Sequence, residues 1–220
     1  KNIRATVTAG PTREYIDPVR YISNESSGKQ GYEIALELSR LGIKTTLISG
    51  PTNINYSNEI KVKKIISGKQ MFNEIKKTLP TDIAVCTAAV SDFKPVMKNK
   101  QKLKKKINLD KIQLEQNPDI LEFLGKNNRH KPKLLVGFSA ETENIIKNSI
   151  EKMHEKHCDI IVANDVSDKE TGFNVDFNEV TIIENNGEIQ KIKKSSKKFI
   201  ASIIAKKIIN SFLDIKKRLN

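Results

Sequence analysis

Residues 3–49 read IRATVTAGPTREYIDPVRYISNESSGKQGYEIALELSRLGIKTTLIS and contain the pattern that decides the fold. The β-branched runs at 3–9 and 44–49 predict strands, because branched side chains pack well on a pleated sheet. Between them, residues 28–41 carry apolar side chains at helical spacing, and Gly42 can end a helix in the left-handed conformation. A strand, a helix and a second strand in this order predict a βαβ unit.

The same alternation continues along the rest of the chain. Further strands are predicted at 61–66, 82–88, 133–138 and 159–163, and further helices at 69–79, 118–125, 142–157 and 195–216. Asn117 is the predicted cap of the helix at 118–125, with Pro118 in its first turn. This order predicts an α/β fold with a mostly parallel sheet and helices on both faces.

Two segments depart from this alternation. Residues 94–116 (KPVMKNKQKLKKKINLDKIQLEQ) lack helical spacing and predict a basic flap with one or two short strands. Residues 174–193 contain Asn186-Gly187 between apolar runs, which predicts a β-hairpin and hence an antiparallel edge on the sheet. We expect residues 1–220 to form a single domain, with a C-terminal helix at about 195–216.

Composition limits the class of protein. The chain has 39 Lys and Arg against 26 Asp and Glu, a net charge of +13 that favours anionic ligands. Aromatic residues make up 5% of the chain and tryptophan is absent, which leaves little surface for stacking bases, so we expect no nucleic-acid partner. Cys86 and Cys158 lie in or beside apolar runs, which indicates reduced, packed thiols. No run approaches 18 apolar residues, so we expect a cytoplasmic protein without a membrane partner.

A candidate anion site lies where residues 24–31 (NESSGKQG) open the first helix. A helix N-terminus exposes unpaired N–H groups and the positive end of the helix dipole, so Ser26, Ser27, Gly28 and Gly31 can form a phosphate cradle. An ordinary serine cap with a tight turn fits the spacing equally well. The chain has neither G-x-G-x-x-G nor a Walker-type G-x-x-x-x-G-K-[ST], which disfavours a simple NAD site or P-loop.

Polar residues follow two predicted strands directly. Asp92 lies just beyond the strand at 82–88, and Asn164-Asp165 follows the strand at 159–163. Ligands collect beyond the carboxyl ends of strands in open α/β sheets, where Asp92 can coordinate Mg²⁺ or hold a ribose hydroxyl or an amide. A turn-capping aspartate is the alternative.

Three lysines are candidate counter-charges for phosphate. Lys102 lies in the flap, while Lys152 and Lys156 are four residues apart and therefore project from one face of a helix. A solvated charged stripe is the alternative for this pair. The three histidines lack metal-ligand spacing with the cysteines, so no metal ligand set is assigned.

Six blocks of sequence together resemble the successive motifs of the phosphopantothenate-cysteine ligases. The blocks are GPTREYIDPVRYISNESSGKQG (10–31), AAVSDF (88–93), KLKK (102–105), NPDIL (117–121), VGFSAETEN (136–144) and IVANDVS…GFN…NEVTII (161–183). The resemblance implies a modified Rossmann-like fold, a homodimer, and CTP and Mg²⁺ as co-substrate and cofactor. It implies that 4′-phosphopantothenate and L-cysteine are joined through an acyl-cytidylate, with release of pyrophosphate and CMP, in coenzyme A biosynthesis.

The resemblance also assigns roles to individual residues. Asn24 would hold the acyl group, Lys102 would cover the reacting centre, and Arg20 would reach the substrate of the neighbouring subunit. Ala88, Ala89 and Asp92 would line the substrate pocket. The nucleotide and its phosphates would contact Gly10, Ser26, Gly28, Gly31, Asp92, Lys102, Pro118, Asp119, Ile120, Leu121, Phe138, Lys152, Lys156 and Asn164.

Two positions depart from the family pattern, since Glu25 replaces a common His and Phe93 a common Tyr. Many bacterial relatives carry a flavin-dependent decarboxylase domain ahead of this one, and we find no matching segment, so no flavin is expected in this chain. Fusion to, or association with, such a decarboxylase stays open.

Two other functions compete with the ligase. A nicotinamide-dependent reductase requires an acidic residue at the end of the second strand, but Glu33 and Glu37 lie on the helix instead. A nucleic-acid binder would require an arginine- and aromatic-rich surface, whereas most basic residues here are lysines.

Overall fold

A computed structural model describes residues 3–104, 111–165 and 176–219, and these residues form twelve strands and five helices. The strands are β1 (Arg4–Ala9), β2 (Glu14–Tyr15), β3 (Tyr21–Ile22), β4 (Lys44–Ser49), β5 (Lys61–Lys64), β6 (Ile83–Cys86), β7 (Phe93–Pro95), β8 (Leu114–Gln116), β9 (Leu134–Glu141), β10 (Ile160–Asp165), β11 (Phe177–Glu184) and β12 (Ile189–Ser196). The helices are α1 (Lys29–Arg40), α2 (Gly68–Thr78), α3 (Ile120–Gly125), α4 (Ile145–Glu155) and α5 (Lys197–Leu219).

Eight strands form the main sheet, in the order β12-β11-β10-β9-β6-β1-β4-β5. The six strands from β10 to β5 are parallel, while β11 and β12 add the antiparallel edge. The turn between these two uses Gly187 at φ 90, and Asn186 Oδ1 accepts a hydrogen bond from the Glu188 amide at 2.9 Å. The predicted mixed sheet and its edge hairpin are confirmed.

Helices cover both faces of the sheet, as the sequence predicts. On one face α1 and α5 pack with the sheet in one buried cluster that includes Ile34, Leu38, Ile204 and Ile208. On the other face α2, α3 and α4 contribute Met71, Ile75, Leu124 and Met153 to a second buried cluster. Burial of apolar area on both faces explains why the central strands read as nearly continuous apolar runs.

The predicted start of the third helix is wrong by two residues. Asp119, not Asn117, is its N-cap, because the Asp119 carboxylate accepts a hydrogen bond from the Glu122 amide at 2.8 Å. The Asn117 side chain instead donates to the Ser91 carbonyl at 2.8 Å, which links it to a different loop. Both residue types are good caps, and the long-range contact decides between them.

Strand order creates a crevice beside β1. The chain runs from β1 to β4 and β5 on one side, then returns to β6, β9 and β10 on the other side. Connections that leave adjacent parallel strands in opposite directions open a gap at the carboxyl ends of those strands. Just beyond this edge Pro11 bridges Ala89, so the first and second motif blocks meet there in space.

The flap, the cysteines and the helix lengths can each be compared with the sequence predictions. In the flap, β7 pairs antiparallel with β8, which confirms a strand pair, while residues 105–110 lie outside the described ranges. Both cysteines are free thiols, and burial raises the pKa of Cys158 to about 12. Across the described part of the chain, every helix is too short or too polar to cross a membrane.

Candidate active site

A cleft of about 960 Å³ lies at the carboxyl ends of β1, β6 and β9. Its walls come from the loop before α1, the loop after β6, the start of α3, strand β9 and one face of α4. Twelve residues predicted from sequence line it: Asn24, Ala88, Ala89, Asp92, Pro118, Asp119, Ile120, Leu121, Phe138, Lys152, Lys156 and Asn164. The fold thus brings distant segments into one space.

Hydrogen bonds to the end of β1 hold the loop after β6 in place. The Thr87 hydroxyl donates to the Thr8 carbonyl at 2.5 Å, and the Ala89 amide donates to the Gly10 carbonyl at 3.0 Å. The Ser91 amide donates to the Thr12 hydroxyl at 3.1 Å. Because these bonds satisfy inward-facing backbone groups, the loop can present a fixed surface to the cleft.

Asn24 faces this loop across the rim of the cleft. Its side-chain Nδ2 donates to the Val90 carbonyl at 3.1 Å, and the neighbouring Ser23 hydroxyl donates to the Thr12 carbonyl at 2.7 Å. Val90 and Asn24 both line the cleft. The Asn24 amide is therefore oriented by a backbone carbonyl, with the substrate-sized space beside it.

The serine-glycine segment forms a smaller depression next to the cleft. The depression has a volume of about 40 Å³ and shares Thr87, Phe138 and Asn164 with the cleft as common walls. Ser26, Gly28 and Gly31, which are predicted to bind phosphate, line it. The N-cap of α1 is Gly28 at φ 73, and the first turn contains no acidic residue. The Ser26 and Ser27 hydroxyls accept from the Gly28 and Lys29 amides at 3.3 and 3.5 Å, so a serine turn precedes the helix, and phosphate binding stays a prediction.

Gly10 supports this depression without lining either space. Gly10 has φ 76, and a Cβ on Gly28 would lie 3.2 Å from the Gly10 Cα. The two glycines therefore pack backbone against backbone. The prediction that Gly10 contacts phosphate stays a prediction, and its observed role is to let the α1 start approach β1 closely.

Gly31 offers a direct test of this close packing. A methyl group there would overlap the Thr87 Oγ1 and come within 2.7 Å of the Ala9 Cβ. We expect Gly31→Ala to lower the free energy of unfolding by about 3 kcal/mol, because overpacking displaces both the loop and the helix. Gly42→Ala is the matched control, since Gly42 has φ 84 with no atom within 4 Å and should cost only about 1 kcal/mol of backbone strain. Equal losses in urea melts would contradict the overpacking explanation.

Lysines and a helix start form the far wall of the cleft. The Lys152 Nζ donates to the Phe138 carbonyl at 3.0 Å, and the Lys156 Nζ lies 3.3 Å from the Asp119 carboxylate. The pKa of Lys156 is raised, chiefly by its hydrogen bond to Glu155 and further by Asp119. Both lysines line the cleft, and the Lys156 side chain is only 15% exposed, so this pair is not a solvated stripe.

Arg20 and Lys102 lie outside the walls of the cleft and the depression. The Arg20 side chain donates to Asp17 at 2.6 Å and to the Leu103 carbonyl at 3.2 Å, and Asp17 also accepts from the Leu103 amide at 3.2 Å. Asp17 is fully buried, and its hydrogen bond with Arg20 is the main reason that its pKa lies well below its usual range. This pair anchors the backbone beside Lys102.

Sequence reasoning missed several residues of the site. Asp17 is not among the predicted site residues, although Asp17-Pro18 is a turn signal. In the structure the Asp17 carboxylate accepts from the Val19 and Arg20 amides. Asn178 donates to Asn164 Oδ1 at 3.0 Å, and Lys197 lines the depression despite belonging to a lysine-rich run. No local signal separates Lys197 from its lysine neighbours.

The carboxylates of the cleft can be compared with the ligands that Mg²⁺ usually has in proteins. Among residues 3–104, 111–165 and 176–219, no group of three or more His, Cys, Asp and Glu could by itself hold a metal ion. Mg²⁺ usually binds through one or two carboxylates plus substrate phosphates and waters. A single wall carboxylate such as Asp92 fits that mode, whereas a closed all-protein metal cage does not.

Comparisons with known proteins identify the family of the chain. Residues 1–212 match the family model described as the DNA/pantothenate metabolism flavoprotein C-terminal domain. The coenzyme A biosynthesis bifunctional protein CoaBC of Haemophilus influenzae is 37% identical over 213 residues, which cover 96% of this chain and 52% of that protein. The chain thus spans about half the length of this curated relative.

Solved structures share the fold of the chain. The crystal structure of the C-terminal domain of a CoaBC protein superposes with a TM-score of 0.82 and 35% identity, covering 97% of each chain. A Cab2 mutant in complex with phosphopantothenate-cysteine shares the fold, with a TM-score of 0.75 and 16% identity, covering 99% of this chain and 88% of that one. The chain therefore belongs to the DNA/pantothenate metabolism flavoprotein C-terminal domain family, which is the phosphopantothenate-cysteine ligase part of the bifunctional CoaBC proteins.

Proposed function

We propose that this chain joins 4′-phosphopantothenate to L-cysteine at the expense of CTP, in two steps within the cleft. The substrate carboxylate attacks the α-phosphorus of CTP, which forms an acyl-cytidylate and releases pyrophosphate. The amine of cysteine then attacks the acyl carbon, forms the amide and releases CMP. A carboxylate is a poor acyl donor at neutral pH, whereas the mixed anhydride carries a good leaving group.

One observation carries this proposal, namely the meeting of the acyl-binding and nucleotide-binding motif residues in a single cleft. Asn24 and the loop after β6 form one wall, and Lys152 and Lys156 with the start of α3 form the other. Formation of the acyl-cytidylate needs the substrate carboxylate and the α-phosphate of CTP within bonding distance. The acyl-binding and nucleotide-binding residues must therefore open into one space. The main cleft and the adjoining depression share wall residues, which supports the proposal.

Each wall has a distinct task in the proposed reaction. Asn24 donates to the acyl oxygens and orients the attacking carboxylate. Lys152 and Lys156 offset the negative charge of the nucleotide phosphates, and the start of α1 binds phosphate through its exposed amides. Stabilising the charge on the α-phosphate and the departing pyrophosphate is the main catalytic demand.

We assign recognition of the cytosine base to the start of α3 and to strand β9. Ile120 and Leu121 are buried at 6% and 8% exposure, and Phe138 also lines the cleft. These apolar side chains, with Pro118 and Asp119 in the same cleft wall, would contact the flat pyrimidine. The preference for CTP over ATP rests on the family resemblance of this segment.

Mg²⁺ would be held by the Asp92 carboxylate together with the phosphates of the nucleotide. When bound, it would neutralise phosphate charge and orient the triphosphate. Lys102 would cover the reacting centre from the flap, which Asp17 and Arg20 anchor at Leu103.

The natural assembly is proposed to be a homodimer in which Arg20 reaches the neighbouring substrate. Arg20 is half exposed, so its guanidinium can contact a partner while it keeps its bond to Asp17. The CoaBC relatives also support an association with a phosphopantothenoylcysteine decarboxylase activity, fused or separate. The ligand of the Cab2 neighbour is the product proposed for this chain.

A pyrophosphate-release assay tests the proposal. The protein is incubated with 4′-phosphopantothenate, cysteine and Mg²⁺, and with either CTP or ATP. We expect steady release with CTP, and a single stoichiometric burst when cysteine is omitted, because the acyl-cytidylate then has no acceptor. No release with either nucleotide would refute the ligase activity, and release with ATP alone would refute the CTP preference.

A further inference from the structure

Asn178 is a buried asparagine whose orientation is fixed by the backbone. It is 2% exposed and lies where the register between β11 and β12 shifts. Its Oδ1 accepts a hydrogen bond from the Glu179 amide at 3.0 Å, and its Nδ2 donates to Asn164 Oδ1 at 3.0 Å. A backbone N–H group can only donate, so the oxygen of Asn178 must face Glu179 and its nitrogen must face Asn164.

This contact also fixes the orientation of Asn164. An asparagine amide has one oxygen that accepts and one nitrogen that donates. Because the Asn178 nitrogen bonds the Asn164 oxygen, a flipped Asn164 would set two nitrogen donors against each other. Among residues 3–104, 111–165 and 176–219, no group accepts a hydrogen bond from Asn164 Nδ2. The donor end of this amide is therefore the end left for a ligand.

Asn164 lies where the cleft and the depression meet. It is half-buried near the carboxyl end of β10 and lines both spaces, while Asn178 lines the depression. On the neighbouring strand Ala140 pairs with Asn164, and two residues earlier the Phe138 carbonyl accepts from the Lys152 ammonium at 3.0 Å. Lys152 also lines the cleft. A triphosphate bound there would therefore meet both an amide donor and a positive charge.

We propose that Asn178 is a positioning residue of the ligase, which holds the Asn164 amide with its Nδ2 donor turned toward the phosphates of the nucleotide. This assignment rests on the proposed function and adds a residue that the family resemblance leaves without a role. The opposite orientation would present the Asn164 oxygen to the phosphate oxygens, and two acceptors cannot share a hydrogen bond. Through one hydrogen bond, Asn178 selects the orientation that suits an anion.

Exchange of the side-chain amide protons with water tests this orientation in the free protein. In ¹⁵N-labelled protein the NH₂ signals of Asn164 and Asn178 are identified by their loss in Asn164→Leu and Asn178→Leu. We expect the hydrogen-bonded Asn178 proton to exchange at least about tenfold more slowly than the Asn164 protons, because it is buried and bonded. Equal rates, or slower exchange at Asn164, would overturn the proposed orientation.

Calorimetric titrations with CTP and Mg²⁺, without 4′-phosphopantothenate, test what the orientation does. We expect Asn164→Leu to lower the affinity for CTP about tenfold, as for loss of a hydrogen bond to a charged group. Asn178→Leu should lower it about threefold to tenfold, because the Asn164 amide is then free to flip. The double variant should match Asn164→Leu within about twofold, because Asn178 acts through Asn164. Fully additive losses would overturn the proposal. Asn178→Ala takes the place of Asn178→Leu if thermal melting shows the latter to be unfolded.

Asn185→Leu is the matched control. Asn185 lies just beyond the other end of β11, is exposed, and donates through Nδ2 to Asp159 Oδ1 at 3.4 Å, but it lines neither space. Its affinity for CTP should stay within about twofold of wild type. Wild-type affinity in Asn178→Leu, or an equal loss in Asn185→Leu, would refute this inference and leave the ligase function standing. No binding of CTP by wild type would instead refute the proposed function, and the exchange rates would still decide the orientation of Asn164.

Discussion

Asn24→Asp is expected to lower the turnover number of CTP-dependent ligation by about a hundredfold or more, with the fold intact. The substitution removes the Nδ2 donor that now bonds the Val90 carbonyl at 3.1 Å. It also places a carboxylate next to that carbonyl and next to the proposed position of the substrate carboxylate. Like charges in a partly desolvated cleft repel strongly, so the approach of the acyl oxygen to the α-phosphorus is disfavoured.

The measurement is steady-state pyrophosphate release, with circular dichroism and thermal melting to confirm the fold. Asn53→Asp is a matched control, because it makes the same chemical change at an exposed position outside the cleft. It should leave turnover within about twofold of wild type. Wild-type turnover in Asn24→Asp would remove Asn24 from the proposed mechanism.

Lys102→Met is expected to give the second large effect, a decrease of about a hundredfold in turnover with only a small change in nucleotide affinity. Lys102 is exposed and lies outside the cleft walls, so it contributes little to the ground-state nucleotide site. In the proposed mechanism it adds positive charge when the flap covers the reacting phosphate. An interaction made mainly in the transition state lowers kcat more than it raises KM.

Lys104→Met is the control for this variant, since Lys104 is also exposed and lies two residues further along the flap. Single-turnover pyrophosphate release separates chemistry from product release in both variants. Equal rates for the two variants would show that overall flap charge matters and not Lys102 itself. A large rise in KM with unchanged kcat would assign Lys102 to nucleotide binding instead.

Much of the fold could be predicted because its signals are local. The strand Lys44–Ser49 has the bounds predicted from its apolar pattern, and the Asn186-Gly187 hairpin forms as expected. The predicted strand at 61–66 ends two residues early at Lys64, and β9 extends past its predicted end to Glu141. Such ends depend on which neighbouring strand offers hydrogen bonds, and this information is not local.

The candidate site was predictable as a set of motif residues but not as a geometry. Twelve of its residues line one cleft, yet Gly10 supports the wall from behind and Asn117 bonds the Ser91 carbonyl instead of capping α3. Asp17 anchors the flap through contacts more than 80 residues away in sequence. The partners of these side chains depend on long-range contacts that no spacing rule contains.

By itself, the amino-acid sequence determined the order of strands and helices, the two-sided burial of the sheet and the family motifs, because hydrophobic periodicity and turn chemistry act over a few residues. Only the tertiary structure decided that Lys197 joins the serine-glycine start of α1. These two segments are about 170 residues apart, and they meet because α5 packs beside α1 on the same face of the sheet. Burial beside a helix start gives one lysine an environment that its equally charged neighbours lack, and burial is a property of the folded chain.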